Sequence, residues 1–135
     1  YALPLATAPQ IASKQAGVTI ELIVLQKAFM RLGSSADFVL VEGVGGWLAP
    51  LSDSLDQVQL VHAFQLPVVL VVGLRLGCIN HARLSEQSIL ASGCRMLGWL
   101  GNAVEDGFDS DGNYFTALAG SLQTPCLGRL SHGPT

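Results

Sequence analysis

After an irregular opening punctuated by Pro4 and Pro9, apolar residues between about positions 11 and 32, among them Ile20, Ile23, Val24 and Phe29, recur at helical spacing. Gly17 divides this predicted helix into two pieces, and Gly33, Ser34 and Ser35 end it. The periodicity then changes. Phe38, Val39, Leu40 and Val41 form an unbroken apolar run, the pattern of a parallel strand buried on both faces. Ser54 followed by Gln57 has the spacing of a capping box and predicts a helix running to about residue 65. Pro67 opens a second buried strand at 68–73, and Asn80 is placed to cap a helix over 81–92. A third strand at 95–102, an acidic loop, a helix over 112–122 and a fourth strand at 125–130 complete the pattern. Strands alternating with helices predict an α/β fold: a parallel β-sheet flanked by helices and built from right-handed βαβ units. No repeat or linker divides residues 1–135, which read as a single domain.

Composition narrows the classes of function. The 135 residues are 50% hydrophobic and 13% charged, enough apolar surface for a core and compatible with the interior of a larger domain. A net charge of −3 with seven dispersed Lys and Arg residues supplies no basic stripe for nucleic acid. The longest uninterrupted apolar stretch is far below the roughly 18 residues that span a bilayer, so no membrane partner is expected. Cys78, Cys94 and Cys126 are odd in number, contain no C-x-x-C pair, and read as reduced thiols of a cytoplasmic protein. His62, His81 and His132 show no zinc spacing, and no G-x-S-x-G elbow is present. Asp109, Ser110, Asp111, Gly112 and Asn113 look like part of a calcium loop but fail in register. With Gly112 at the sixth position, Gly107 and Leu118 occupy places that require carboxylates.

Chemistry concentrates where the first apolar run opens into Glu42, Gly43, Val44, Gly45 and Gly46. Open α/β sheets bind ligands beyond the carboxyl ends of their strands. A loop short of β-carbons lets backbone N–H groups approach an anion, while a carboxylate beside it suits a hard cation such as Mg²⁺. A plain glycine turn is the alternative. Gly77, Cys78, Ile79 and Asn80, at a predicted helix start, offer unpaired N–H groups and the positive end of a helix dipole.

The run from Val41 to Trp47 (VEGVGGW), Leu76-Gly77-Cys78-Ile79-Asn80-His81, and Leu97-Gly98-Trp99-Leu100-Gly101-Asn102, in this order, closely resemble the dethiobiotin synthetases, ATP-dependent enzymes of biotin biosynthesis. The resemblance implies the C-terminal part of a P-loop NTPase-like three-layer domain. The chain contains no G-x-x-x-x-G-K-[ST] loop, and its only lysines are Lys14 and Lys27. It is therefore expected to be a fragment, inactive alone, with the P-loop and active-site lysines upstream of Tyr1. By resemblance, Glu42 binds Mg²⁺ beside the phosphates of ATP, and Gly43, Val44 and Gly45 form the contacting loop. Asn102 reads the adenine edge, the alternative being a turn-forming Asn. The turn Gly77, Cys78, Ile79, Asn80 receives the carboxylate of 7,8-diaminononanoate from the neighbouring subunit of a homodimer. Tyr114 shares that carboxylate unless it is an ordinary helix residue. The reaction implied consumes CO₂ and ATP and closes a ureido ring. Ser131 and His132 depart from the family's usual proline after Gly-x-hydrophobic, which leaves base contacts there unsupported. Two other readings are open: a cobyrinate-type amide-forming synthetase, which shares strand-Glu-Gly loops, and a MinD- or ParA-like nucleotide-switched partitioning ATPase, which would use a similar sheet to bind protein or membrane partners.

Overall fold

The computed structural model describes residues 1–133 and divides into two compact units, Tyr1–Leu66 and Pro67–Thr135. The first unit holds α1 (Pro9–Gln15), α2 (Leu22–Gly33) and α3 (Gln57–Phe64), so the long helical stripe does break around Gly17. Its core is small: Ile20, Leu51 and Leu55 are buried, with Leu3, Leu22, Leu25 and Leu60 packed against them. Helices α2 and α3 meet through Phe29 and Phe64, whose rings stack with centroids 4.4 Å apart.

Two expectations for this unit need correction. The capping box belongs to Asp56 and Gln59, not to Ser54 and Gln57: the Gln59 N–H donates to Asp56 Oδ1, and the Asp56 N–H donates to Gln59 Oε1, both at 2.9 Å. The N–H groups of Leu51 and Ser52 both donate to the Leu55 carbonyl, closing a turn around Ser54, so the helix starts only beyond it. The run Phe38, Val39, Leu40, Val41 is not a strand. It joins no ladder among the described residues, and Phe38 and Leu40 are about four-fifths exposed, at 80% and 83%. Hydrophobicity and β-propensity supply only half of what a strand needs. Without a hydrogen-bonded neighbour, an extended run has nothing to hold it as one.

The second unit carries the α/β pattern: β1 (Val68–Leu74), α4 (Cys78–Ala91), β2 (Met96–Ala103), α5 (Asn113–Ser121) and β3 (Cys126–Leu130). The three strands form a parallel sheet in the order β1-β2-β3. Val72 and Leu74 from β1, Cys78 and Ala82 from α4, Trp99 from β2, and Leu118 and Leu122 around the end of α5 make one core. Trp99 is fully buried and its ring lies 5.3 Å from that of Phe115. Burial along β1 alternates, correcting the reading of a strand covered on both faces: Val72 and Leu74 are buried, while Val69 and Val71 are 39% and 57% exposed. The core built by α4 and α5 gathers alternate side chains only, as the pleat of a strand dictates.

A buried carboxylate ties α4 to the turn before β3. Glu86, 2% exposed, accepts hydrogen bonds from the Gln123 and Thr124 N–H groups and, at 2.6 Å, from the Thr124 hydroxyl. Burial pushes its pKa up, but the Thr124 hydroxyl and the two backbone N–H groups together outweigh burial and hold the carboxyl below its ordinary value.

Candidate functional site

Parallel strands that each lead into a helix bring their loops to one edge. In the second unit that edge collects the start of α4, the end of β2 and the start of α5. Helix α4 begins at Cys78 with Gly77 as its N-cap at φ +90°, a conformation that favours glycine. Asn80 is thus not the cap but lies within the first turn, where the His81 N–H donates to the Gly77 carbonyl at 3.2 Å. Gly77 and Asn80 are exposed, and Cys78 is 3% exposed, packed into the core with Leu74, Ala82 and Trp99. Ile79 and Tyr114 are both half-buried against that same cluster, so the structure brings the turn 77–80 and Tyr114 to one core. The Tyr114 ring leans on Phe108, with centroids 4.7 Å apart. Asn102 sits near the carboxyl end of β2, opposite Gly73 of β1 and Leu130 of β3, and is half-buried.

The glycine-rich loop belongs to the first unit. Glu42, Gly43, Val44 and Gly45 are all exposed. One side chain pins the loop: Gln57, buried at the first position of α3, donates from Nε2 to the Val44 carbonyl at 2.7 Å. A β-carbon on Gly43 would stand 2.8 Å from Gln57 Oε1, so the absence of one lets helix and loop approach. Sequence reasoning took Gln57 for a capping partner and missed this role. No local spacing signals it, because the contact spans 13 residues. Trp47, just after the glycines, buries its indole Nε1 without a hydrogen-bond partner among the described residues.

Glu42 offers a single hard oxygen donor, and no group of three or more His, Cys, Asp or Glu side chains converges among the described residues. That donor set fits Mg²⁺, which commonly takes one or two carboxylates and completes its shell with phosphate and water. Ser131 and His132 are exposed beyond the end of β3. No described helix is long and apolar enough to cross a membrane.

Sheet, crossover helices and loops at the carboxyl edge define an α/β domain, and its match to a family model makes it one of the P-loop NTPase type. The chain belongs to the family described as AAA domain, whose model matches residues 1–135. Among curated proteins it is 51% identical over 134 residues to a protein of Xanthomonas campestris named ATP-dependent dethiobiotin synthetase BioD, covering 99% of this chain and 60% of that protein. A Xylella fastidiosa protein of the same name is 50% identical, again over 99% of this chain and 59% of its own length. The chain thus spans about three-fifths of the relatives it matches.

Proposed function

We propose that this chain is part of an ATP-dependent dethiobiotin synthetase. Identity near one half across 134 residues to proteins of that name carries the reading. In the proposed reaction one amine of 7,8-diaminononanoate adds to CO₂ and loses a proton, giving a carbamate. A carbamate oxygen attacks the γ-phosphorus of ATP and ADP departs, leaving a mixed anhydride. The second amine then attacks the carbamoyl carbon, phosphate leaves, and loss of a proton completes the ureido ring of dethiobiotin.

Roles follow from what each group can do. The exposed carboxylate of Glu42 would hold Mg²⁺, which when bound offsets phosphate charge, the main requirement of phosphoryl transfer. Gly43, Val44 and Gly45 present backbone beside it, held in place by Gln57. Asn102 has a donor and an acceptor for the edge of adenine. The first turn of α4, Gly77 to Asn80, and the Tyr114 hydroxyl receive the substrate carboxylate, favoured there by the helix dipole. Cys78 contributes backbone only, since its thiol is in the core. The reading includes a homodimer and a cytoplasmic location.

Glu42→Gln keeps the shape of the side chain and removes its charge. In a full-length protein carrying this sequence, assayed with ATP, Mg²⁺, bicarbonate and the diamino acid, turnover should fall about a hundred- to a thousandfold, the usual loss for one preorganised electrostatic contact. Unchanged turnover and Mg²⁺ dependence would make Glu42 a structural residue.

A further inference from the structure

Asp109 is held more tightly than a loop residue needs to be. Its side chain is fully buried and its φ is +59°, left-handed backbone that L-residues other than Asn and Asp seldom enter. Helix α5 receives no side-chain cap from Gly112, its N-cap residue. Asp109 supplies the missing acceptor from three positions further back: Oδ1 accepts the Tyr114 N–H at 2.6 Å and Oδ2 accepts the Phe115 N–H at 3.1 Å. Arg129, on β3, then holds Asp109. Its Nη2 donates to the Asp109 carbonyl at 2.9 Å, its Nη1 lies 3.4 Å from Oδ2, and its guanidinium lies over the Phe115 ring, 5.6 Å from the centroid. In register Arg129 is opposite Gly101, one residue before the Asn102–Leu130 pair.

This clamp joins the loop after β2, the first turn of α5 and the end of β3. Burying a carboxylate is costly even when an arginine attends it, and a helix start can be capped by an exposed Ser or Asp at far lower cost. What the buried arrangement adds is a fixed position for residue 114, through a bond to its own backbone N–H. We propose that Asp109, anchored by Arg129, is a positioning residue that sets the place of the Tyr114 hydroxyl and so governs selectivity for diamines that carry a carboxylate. The inference rests on the assignment of Tyr114 made above. Arg129 also neutralises Asp109, which would otherwise repel an incoming carboxylate.

Selectivity separates positioning from general support of the fold. In a full-length protein carrying this sequence, kcat/KM would be compared for 7,8-diaminononanoate and for the same vicinal diamine without its carboxylate, together with KM for ATP. Asp109→Asn and Arg129→Met should each lower the preference for the acid roughly fivefold or more, with KM for ATP within about twofold of the parent, since a hydrogen bond to a charged group carries about 10- to 150-fold in affinity. Arg129→Lys should recover part of the preference, and Tyr114 and Phe115 should lose amide-exchange protection in Asp109→Asn. If Asp109→Asn does not fold, Arg129→Met, which frees the Asp109 loop from β3, decides by the preference read together with amide exchange: protection at Tyr114 and Phe115 should fall with the preference, and a lowered preference with protection unchanged would overturn the positioning role. An unchanged preference in these variants, with a lowered one in Tyr114→Phe, would overturn the proposal and leave the functional reading standing. An unchanged preference in Tyr114→Phe as well would overturn the proposal together with the assignment of Tyr114 as a carboxylate contact.

Discussion

Glu86 shows how a single buried charge can be stabilising. Its two oxygens meet three donors, so the cost of taking a carboxylate out of water is offset by charge-assisted hydrogen bonds. Glu86→Gln keeps one acceptor oxygen and turns an amide NH₂ toward groups that are themselves donors. At neutral pH the variant should lose about 1–3 kcal/mol of stability, the cost of leaving a buried donor unsatisfied. The sign with pH follows from the lowered pKa: the stabilisation is complete above the pKa of an unfolded glutamate, about 4.3, and disappears as pH falls through the lower folded value. Urea midpoints of parent and variant should therefore differ at pH 7 and converge as acid is added. A gap that persists unchanged into acid would assign the loss to packing instead of charge. Asp53 lies in the first unit, in contrast, where the Lys14 ammonium at 2.7 Å and the Gln10 amide lower the pKa of an exposed carboxylate, and water screens the pair.

At the scale of elements, the contact between α3 and the glycine loop makes a separate prediction. Gln57→Ala removes the bond to the Val44 carbonyl while Asp56 and Gln59 still cap the helix. A neutral hydrogen bond is worth about 0.5–1.5 kcal/mol net, so KM for ATP should rise roughly two- to tenfold with helical content unchanged. An unaltered KM for ATP would detach this loop from the nucleotide. The same elements show what could be read in advance. Helices and strands from residue 68 onward follow from periodicity and breakers because side chains from β1, α4, β2 and the end of α5 meet in one core, and local pattern and tertiary contact agree there. Phe38 to Val41 misled for the opposite reason: four apolar residues have strand chemistry, but pairing is decided by a partner that lies outside the pattern. The caps of α3 and α4 were each displaced by two or three residues, since Ser54 and Asp56, or Gly77 and Asn80, satisfy the same local rule and a turn hydrogen bond or a backbone angle chooses between them. Gln57, Asp109 and Arg129 act through contacts 13 or 20 residues apart or through a buried ion pair, which spacing rules do not register.

For the whole molecule, the proposed division of labour between subunits yields the most discriminating experiment. If the diamino acid's carboxylate is received by a neighbouring copy, then Glu42 and Tyr114 that serve one reaction come from different chains. Tyr114→Phe removes only a hydroxyl, so KM for the diamino acid should rise about tenfold or more while KM for ATP stays close to the parent's. Glu42→Gln instead removes the charge proposed to hold Mg²⁺. In a heterodimer of the two variants, shared sites place both lesions in one site and neither in the other, so the mixture should recover up to half of the parental activity per heterodimer. Sites confined to single chains leave one lesion in each, and activity cannot return. Mixing tagged variants, purifying the heterodimer and assaying it at limiting diamino acid distinguishes these cases, because only the shared arrangement creates an undamaged site. Absence of recovery in verified heterodimers would place the carboxylate contact of Tyr114 within its own chain.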